Sequence, residues 1–405
     1  MKKKLLGVVL AAAMTMSLAA CGGNAAPAAS AGNDTQAPAA EGEAPAGDAG
    51  ATFYIGGIGP TTGGASSYGI SVMQGAQIAI DEINANGGIN GAQVAYNFQD
   101  DQHDAEKSVN AYNSLKDWGM QILLGSVTTN PCLAVEAESS ADRIYQITPS
   151  ASSQDVADNA DNVFQVCFTD PNQGVASAQY IAEHNLATKI GVIYDSSDVY
   201  SSGIEATFMA EAEARGLDVV TEEAFTADSK TDFSTQLQKA QAAGADLVFL
   251  PFYYQEAAIV LKQANDMGYA PIFFGCDGMD GILGVENFDT SLAEGLMLLT
   301  PFAADATDDL TVNFVKEYQE KYGEIPTQFA ADAYDAIYVI KAAAEAAGVT
   351  PADDRADICE ALIAQMTQIS ISGLTGENMT WNANGEVSKA PKAVVIKDGV
   401  YVNAE

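Results

Sequence analysis

From Phe53 onward, short β-rich apolar runs alternate with stretches whose apolar positions recur every three or four residues. FYIGGIGP, AQVAYNF and MQILLG predict strands, with helices between them near residues 68–86 and 105–118. Within residues 74–84, Ala76, Ala79, Ile80 and Ile83 fall on one face that a sheet would cover, and Asn86-Gly87-Gly88 stops the helix. RIYQITP, KIGVIYD, LDVVTEEAF, ADLVFLPF and APIFFG continue the strand series, with helices near 171–184, 201–215 and 255–267. LMLLTPF follows, then helices near 310–322 and 331–347 and a short terminal β-rich stretch. So long a β-α-β series requires parallel sheets covered on both faces, which predicts an α/β chain of two doubly wound lobes.

The first fifty residues have a different grammar. Lys2, Lys3 and Lys4 precede an apolar stretch over residues 5–16 and then LAAC, ending at Cys21. The stretch is shorter than the ~20 residues that span a bilayer, so residues 1–20 read as a signal peptide. LAAC resembles the bacterial lipobox, which makes Cys21 the expected lipidation site and the new N-terminus. Residues 21–50, rich in Gly, Ala and Pro and without aromatics, read as a flexible tether.

Charge narrows the partners. The formal net charge is −36, and loss of the three signal lysines leaves −39. A nucleic acid needs a basic face to replace its counterions, and an anionic lipid surface would be repelled, so neither is an expected partner. The roughly 355 residues after position 50 suit two domains with real cores. Cys132, Cys167, Cys276 and Cys359 form no CxxC pair and have no clustered histidines beside them, so no metal site is expected. Buried free thiols are expected of them, although export permits bridges and pairing is unreadable from sequence.

The run GAQIAIDEINANGGINGAQV, the preceding PTTGGASSYG, the later ITPSAS and the strand order resemble the branched-chain amino-acid-binding family of periplasmic binding proteins, of type I fold, over residues 52–402. The resemblance implies two α/β lobes joined by three crossover strands, here near Asp170, near Thr300, and between Trp381 and Lys392. Lobe I then takes residues 51–170 and 300–388, and lobe II takes 171–299 and 389–405. It further implies a monomer that closes over an amino acid and delivers it to the permease of an ABC importer, without catalysis or cofactor. The best-known members tie the first lobe with a disulfide; this chain has His103 and Thr128 at the matching places.

Ligands of open α/β sheets sit at the C-terminal ends of the strands, which selects the candidate loops. In LLGSVTTNPCLAV, Thr128 and Thr129 follow a strand and precede a helix, where free N–H groups and a hydroxyl hold a carboxylate or simply cap the helix. By resemblance Thr129 takes the family's hydroxyl position. In ITPSASS the resemblance uses the loop Ser150-Ala151-Ser152, through backbone at Ser150 and hydroxyl at Ser152. Asp277 in FFGCDGMDG stands where the family carries an acid that pairs with the ligand's ammonium. Tyr68, Tyr200 and Tyr253 are candidate walls, with Tyr254 an alternative to Tyr253. His103, between Asp101 and Asp104, reads as a surface or capping residue.

Other classes have less support. Gly57-Ile58-Gly59 suggests a dinucleotide-binding turn, but the next position of that fingerprint is Thr62, and no unambiguous acid follows. Two histidines, neither beside a nucleophile, leave hydrolysis without its groups. A sensor that reports ligand to a membrane receptor, or a binder of a different small amine or carboxylate, remains the alternative to delivery.

Overall fold

The computed structural model describes residues 52–404; the signal peptide, Cys21 and the tether lie outside the described residues. The first sheet contains β1 (Thr52–Gly59), β2 (Gln93–Asp100), β3 (Ile122–Leu124), β4 (Tyr145–Thr148) and β5 (Val163–Gln165) in the order β2-β1-β3-β4-β5. Every neighbouring pair is parallel. Its helices are α1 (Ser66–Ala85), α2 (Ala105–Trp118), α3 (Thr129–Asp142) and α4 (Gln154–Asp158). β3 and β4 are buried throughout, as expected of strands covered on both faces.

After β5 the chain crosses to a second layered unit. It contains α5 (Asp170–Glu183), β6 (Ile190–Asp195), α6 (Val199–Arg215), β7 (Val219–Phe225), α7 (Ser234–Ala243), β8 (Leu247–Leu250), α8 (Tyr254–Asp266), β9 (Ile272–Gly275) and β10 (Met297–Thr300). The chain then returns through α9 (Asp309–Tyr322), α10 (Gln328–Ala347) and α11 (Arg355–Met366) before β11 (Lys392–Lys397) and β12 (Val400–Asn403) close the second sheet. That sheet runs β12-β11-β10-β9-β8-β6-β7, with β11 and β12 antiparallel to their neighbours and the rest parallel.

Helix α10 packs against α1 so closely that a Cβ on Gly75 would stand 2.0 Å from the Ala330 carbonyl oxygen. The return of α9 to α11 therefore joins the first sheet's core, where Ile78, Ile80, Ile337 and Ile340 are buried. Helix α11 has no counterpart among the expected elements. Asp354 holds its N-cap position without a side-chain capping bond, and the helix buries the stripe Ile358, Leu362 and Met366.

The glycines of FYIGGIGP lie inside β1 rather than in a phosphate-binding turn. The Cβ positions of Gly57 and Gly59 are filled by Phe98 and Val127 at 2.4 Å each, so packing against neighbouring side chains accounts for them. Cys132, Cys167, Cys276 and Cys359 are free and buried.

Candidate functional site in the interlobe cavity

Strand ends from both sheets converge on a small cavity lined by Tyr68, Thr128, Thr129, Ser150, Tyr200, Tyr253 and Asp277, together with Val127, Gly278 and Phe329. The first sheet's side supplies Tyr68 from the start of α1, Val127 to Thr129 from the β3–α3 loop, and Ser150 from beyond β4. The second sheet's side supplies Tyr200 from the first turn of α6, Tyr253 from beyond β8, and Asp277 and Gly278 from beyond β9.

Thr128 occupies the N-cap position of α3 in extended conformation, but its side chain makes no capping bond. Its hydroxyl instead lies 2.8 Å from His103 Nδ1. The cap is thus spared, and the first-turn N–H groups of Thr129 and Asn130 are among those a helix leaves without intrahelical partners. Ser150 donates its hydroxyl to the Val127 carbonyl at 2.5 Å, tying the β4 loop to the β3 loop.

Asp277 is buried and anchored on all sides by neutral groups. Tyr200 Oη donates to its Oδ1 at 2.6 Å, and that phenol oxygen accepts the Gly278 N–H at 3.0 Å. The Asp277 N–H donates to Gln173 Oε1 at 3.1 Å, and Gln328 Nε2 donates to the Asp277 carbonyl at 3.0 Å. Burial lifts the carboxyl to about 7 against the lowering effect of its hydrogen bonds, and the nearby Asp332 adds to the lift. Among the described residues, no lysine or arginine lines the cavity. An acid facing a cavity without a cation is complementary to a positively charged ligand group.

The loops are held across the cleft. Tyr68 Oη donates to the Gly278 carbonyl at 2.5 Å, and the Gln328 N–H donates to Asp280 Oδ2 at 2.8 Å. Tyr253 stacks on Tyr200 with centroids 5.0 Å apart and planes at 8°, and meets Tyr68 at 5.8 Å.

Several expected residues sit elsewhere or do something different. Ala151 and Ser152 do not line the cavity. The Ala151 N–H is taken by Thr148 Oγ1 at 2.9 Å, and Ser152 is fully buried with its hydroxyl unpartnered, its carbonyl accepting the Asp170 N–H at 2.9 Å. Tyr254 stands behind the wall, its hydroxyl accepting the Ser67 N–H at 3.2 Å, so the cavity position is Tyr253's. His103 is neither a surface residue nor the cap of α2, which is Asp104. It is half-buried and nearly perpendicular to the Tyr253 ring at 5.4 Å, and burial drops its imidazole to about 4, leaving it neutral. Phe329 was not anticipated; α10 begins at Gln328, three residues before the expected start, and this extra turn brings the Phe329 ring within 4.3 Å of Tyr68.

The model of the periplasmic binding protein family matches residues 52–399. The chain belongs to this family. A Leu/Ile/Val-binding protein homolog from Brucella melitensis is 32% identical over 320 residues, covering 77% of this chain and 83% of that protein. Among solved structures, a leucine-binding protein from Thermotoga maritima is similar with a TM-score of 0.78 and 27% identity, covering 87% of this chain and 98% of its own. A branched-chain amino acid transporter substrate-binding protein from Streptococcus pneumoniae, solved in complex with isoleucine, has the same TM-score and identity and covers 86% and 97%. Members of this family are solute binders of type I architecture that work outside the cytoplasm. Among the described residues, no helix is long and apolar enough to cross a membrane.

Proposed function

We propose that this chain captures an amino acid with a branched or other apolar side chain between its two lobes and delivers it to an ABC importer. The observation that carries this is Asp277, a buried carboxyl facing the cavity with no protein cation beside it. An α-ammonium supplies the missing charge, and the α3 N-terminus with the Thr129 hydroxyl supplies donors for the α-carboxylate, on loops that the Thr128 and Ser150 hydroxyls tie in place. Burying a zwitterion is costly unless both charged ends are paired, and the two lobes divide that work. Tyr68, Tyr200, Tyr253 and Phe329 form walls for an apolar side chain.

Ligand entry and release then follow hinge closure between lobe I, residues 51–170 with 300–388, and lobe II, residues 171–299 with 389–405. Ala151 and Ser152 act by holding the Ser150 loop. The importer's permease takes up the released amino acid, with the binding protein a monomer. Processing at Cys21 and its lipidation tether the body to the outer face of the membrane through residues 21–50; Cys21→Ala would then move the protein from the membrane to the soluble fraction. Calorimetry with apolar amino acids and their deaminated analogues tests the central reading: amino acids bind and analogues do not, and equal binding of both classes overturns it.

A further inference from the structure

A second, larger cavity adjoins the first, and the two share one wall residue, Tyr253. Its lining differs in kind. Asp195, Asp198 and Glu256 contribute three carboxyls, against one lysine, Lys230, which lies 3.2 Å from Glu256. His103 also lines it, and burial keeps that imidazole neutral. The second cavity is thus larger and acidic, whereas the first is small and walled by aromatic rings.

The partition is built from packed rings. Tyr253 lies flat on Tyr200 and meets His103 at 5.4 Å with the ring planes at 82°. Its position is set by backbone, since Tyr253 is the N-cap of α8 and its carbonyl accepts the Ala257 N–H at 3.1 Å. An unbranched side chain longer than the first cavity would therefore meet the phenol ring, and beyond the ring it would enter a space that favours positive charge.

We propose that Tyr253 is the specificity-determining residue for ligand length, closing an acidic second chamber that would otherwise admit amino acids with long cationic side chains. This rests on the amino-acid reading of the first cavity. Truncation of the ring joins the chambers, so the same α-amino-acid grip on Asp277 and Thr129 would serve lysine and arginine.

The test is calorimetry of the wild type, Tyr253→Ala, Tyr253→Leu and the double variant Tyr253→Ala with Asp195→Lys, using leucine, methionine, lysine and arginine. The wild type is expected to bind leucine and reject lysine and arginine. Both single variants should bind the two cationic ligands at least roughly tenfold more tightly than the wild type does, with leucine weakened. The added Asp195→Lys should remove the cationic gain and spare methionine. Thermal melts confirm that each variant is folded, and the leucine variant retains apolar bulk should the alanine variant not fold. Leucine binding by the wild type without any cationic gain in a folded variant overturns the partition alone. Wild-type binding of lysine as tight as that of leucine also overturns it. A wild type that binds none of the four ligands overturns the amino-acid reading, and the partition with it.

Discussion

The phenol of Tyr200 donates to Asp277 Oδ1 at 2.6 Å while accepting the N–H of Gly278 at 3.0 Å, so one hydroxyl fixes both the carboxyl and the backbone that follows it. Tyr200→Phe keeps the ring stack on Tyr253 but leaves two buried polar groups without their partner. Such a loss costs about 1–3 kcal/mol. Denaturant unfolding of the unliganded protein should show it, with ligand affinity falling as well because the carboxyl is no longer aimed.

Asp277→Asn removes the charge and keeps the shape. Apolar amino acids should lose roughly a hundredfold or more in affinity, in line with about 3 kcal/mol for a lost charge-assisted bond, whereas deaminated analogues should bind the variant no more weakly than the wild type. Calorimetry with the matched pairs separates the two outcomes.

The proton on Asp277 gives a pH dependence whose sign follows from the lift to about 7 from the ordinary 3.8. Across that window the native carboxyl holds a proton that the unfolded one has lost, so this group favours the native state at low pH and the advantage is lost as pH rises through about 7. Ligand binding runs the other way, since an ammonium pairs with the ionised form. Affinity should fall as pH drops below about 7, approaching tenfold per unit, with about one proton released on binding. Titrations in two buffers of different ionisation enthalpy count that proton, and Asp277→Asn should abolish both effects.

Gln328 grips the Asp277 carbonyl from across the cleft without itself lining the cavity. Gln328→Ala removes one cross-lobe bond worth about 0.5–1.5 kcal/mol. Gln328 and Asp277 belong to different lobes of the proposed hinge, so stopped-flow measurement should find faster ligand release, by up to roughly tenfold, and little change in association rate.

Gly75 marks where α1 and α10 touch backbone to backbone. Gly75→Val would force its Cβ toward the Ala330 carbonyl oxygen and should destabilise the fold by about 1–3 kcal/mol, read as a lower denaturation midpoint. Affinity should suffer less than in the Asp277 variant, because the contact lies away from the cavity.

Most strands are readable because buried strands leave apolar runs, though the three-residue β5 is too short to show, and strand ends together with the family resemblance point to Thr128, Thr129, Ser150, Tyr200, Tyr253 and Asp277. What escaped depends on contacts distant in sequence. No local pattern marks His103 as a cleft residue, since its bond to Thr128 spans 25 positions. Phe329 reaches Tyr68 only because α10 folds back on α1. Ser152 looks like its neighbour Ser150 in sequence, yet only Ser150 lines the cavity. Helix α11 did leave a trace, the stripe Ile358, Leu362 and Met366 after Asp354, but it follows a Pro-containing acidic turn that reads as loop.

At the two places where the family resemblance implies a disulfide, this chain has a hydrogen bond between His103 and Thr128. Its four described cysteines are buried and free, and burial lifts Cys132 to about 12, far from the reactive thiolate. Maturation of the binding body thus calls for no thiol oxidase and no isomerase. The protein would remain equally competent in strongly reducing surroundings and in air.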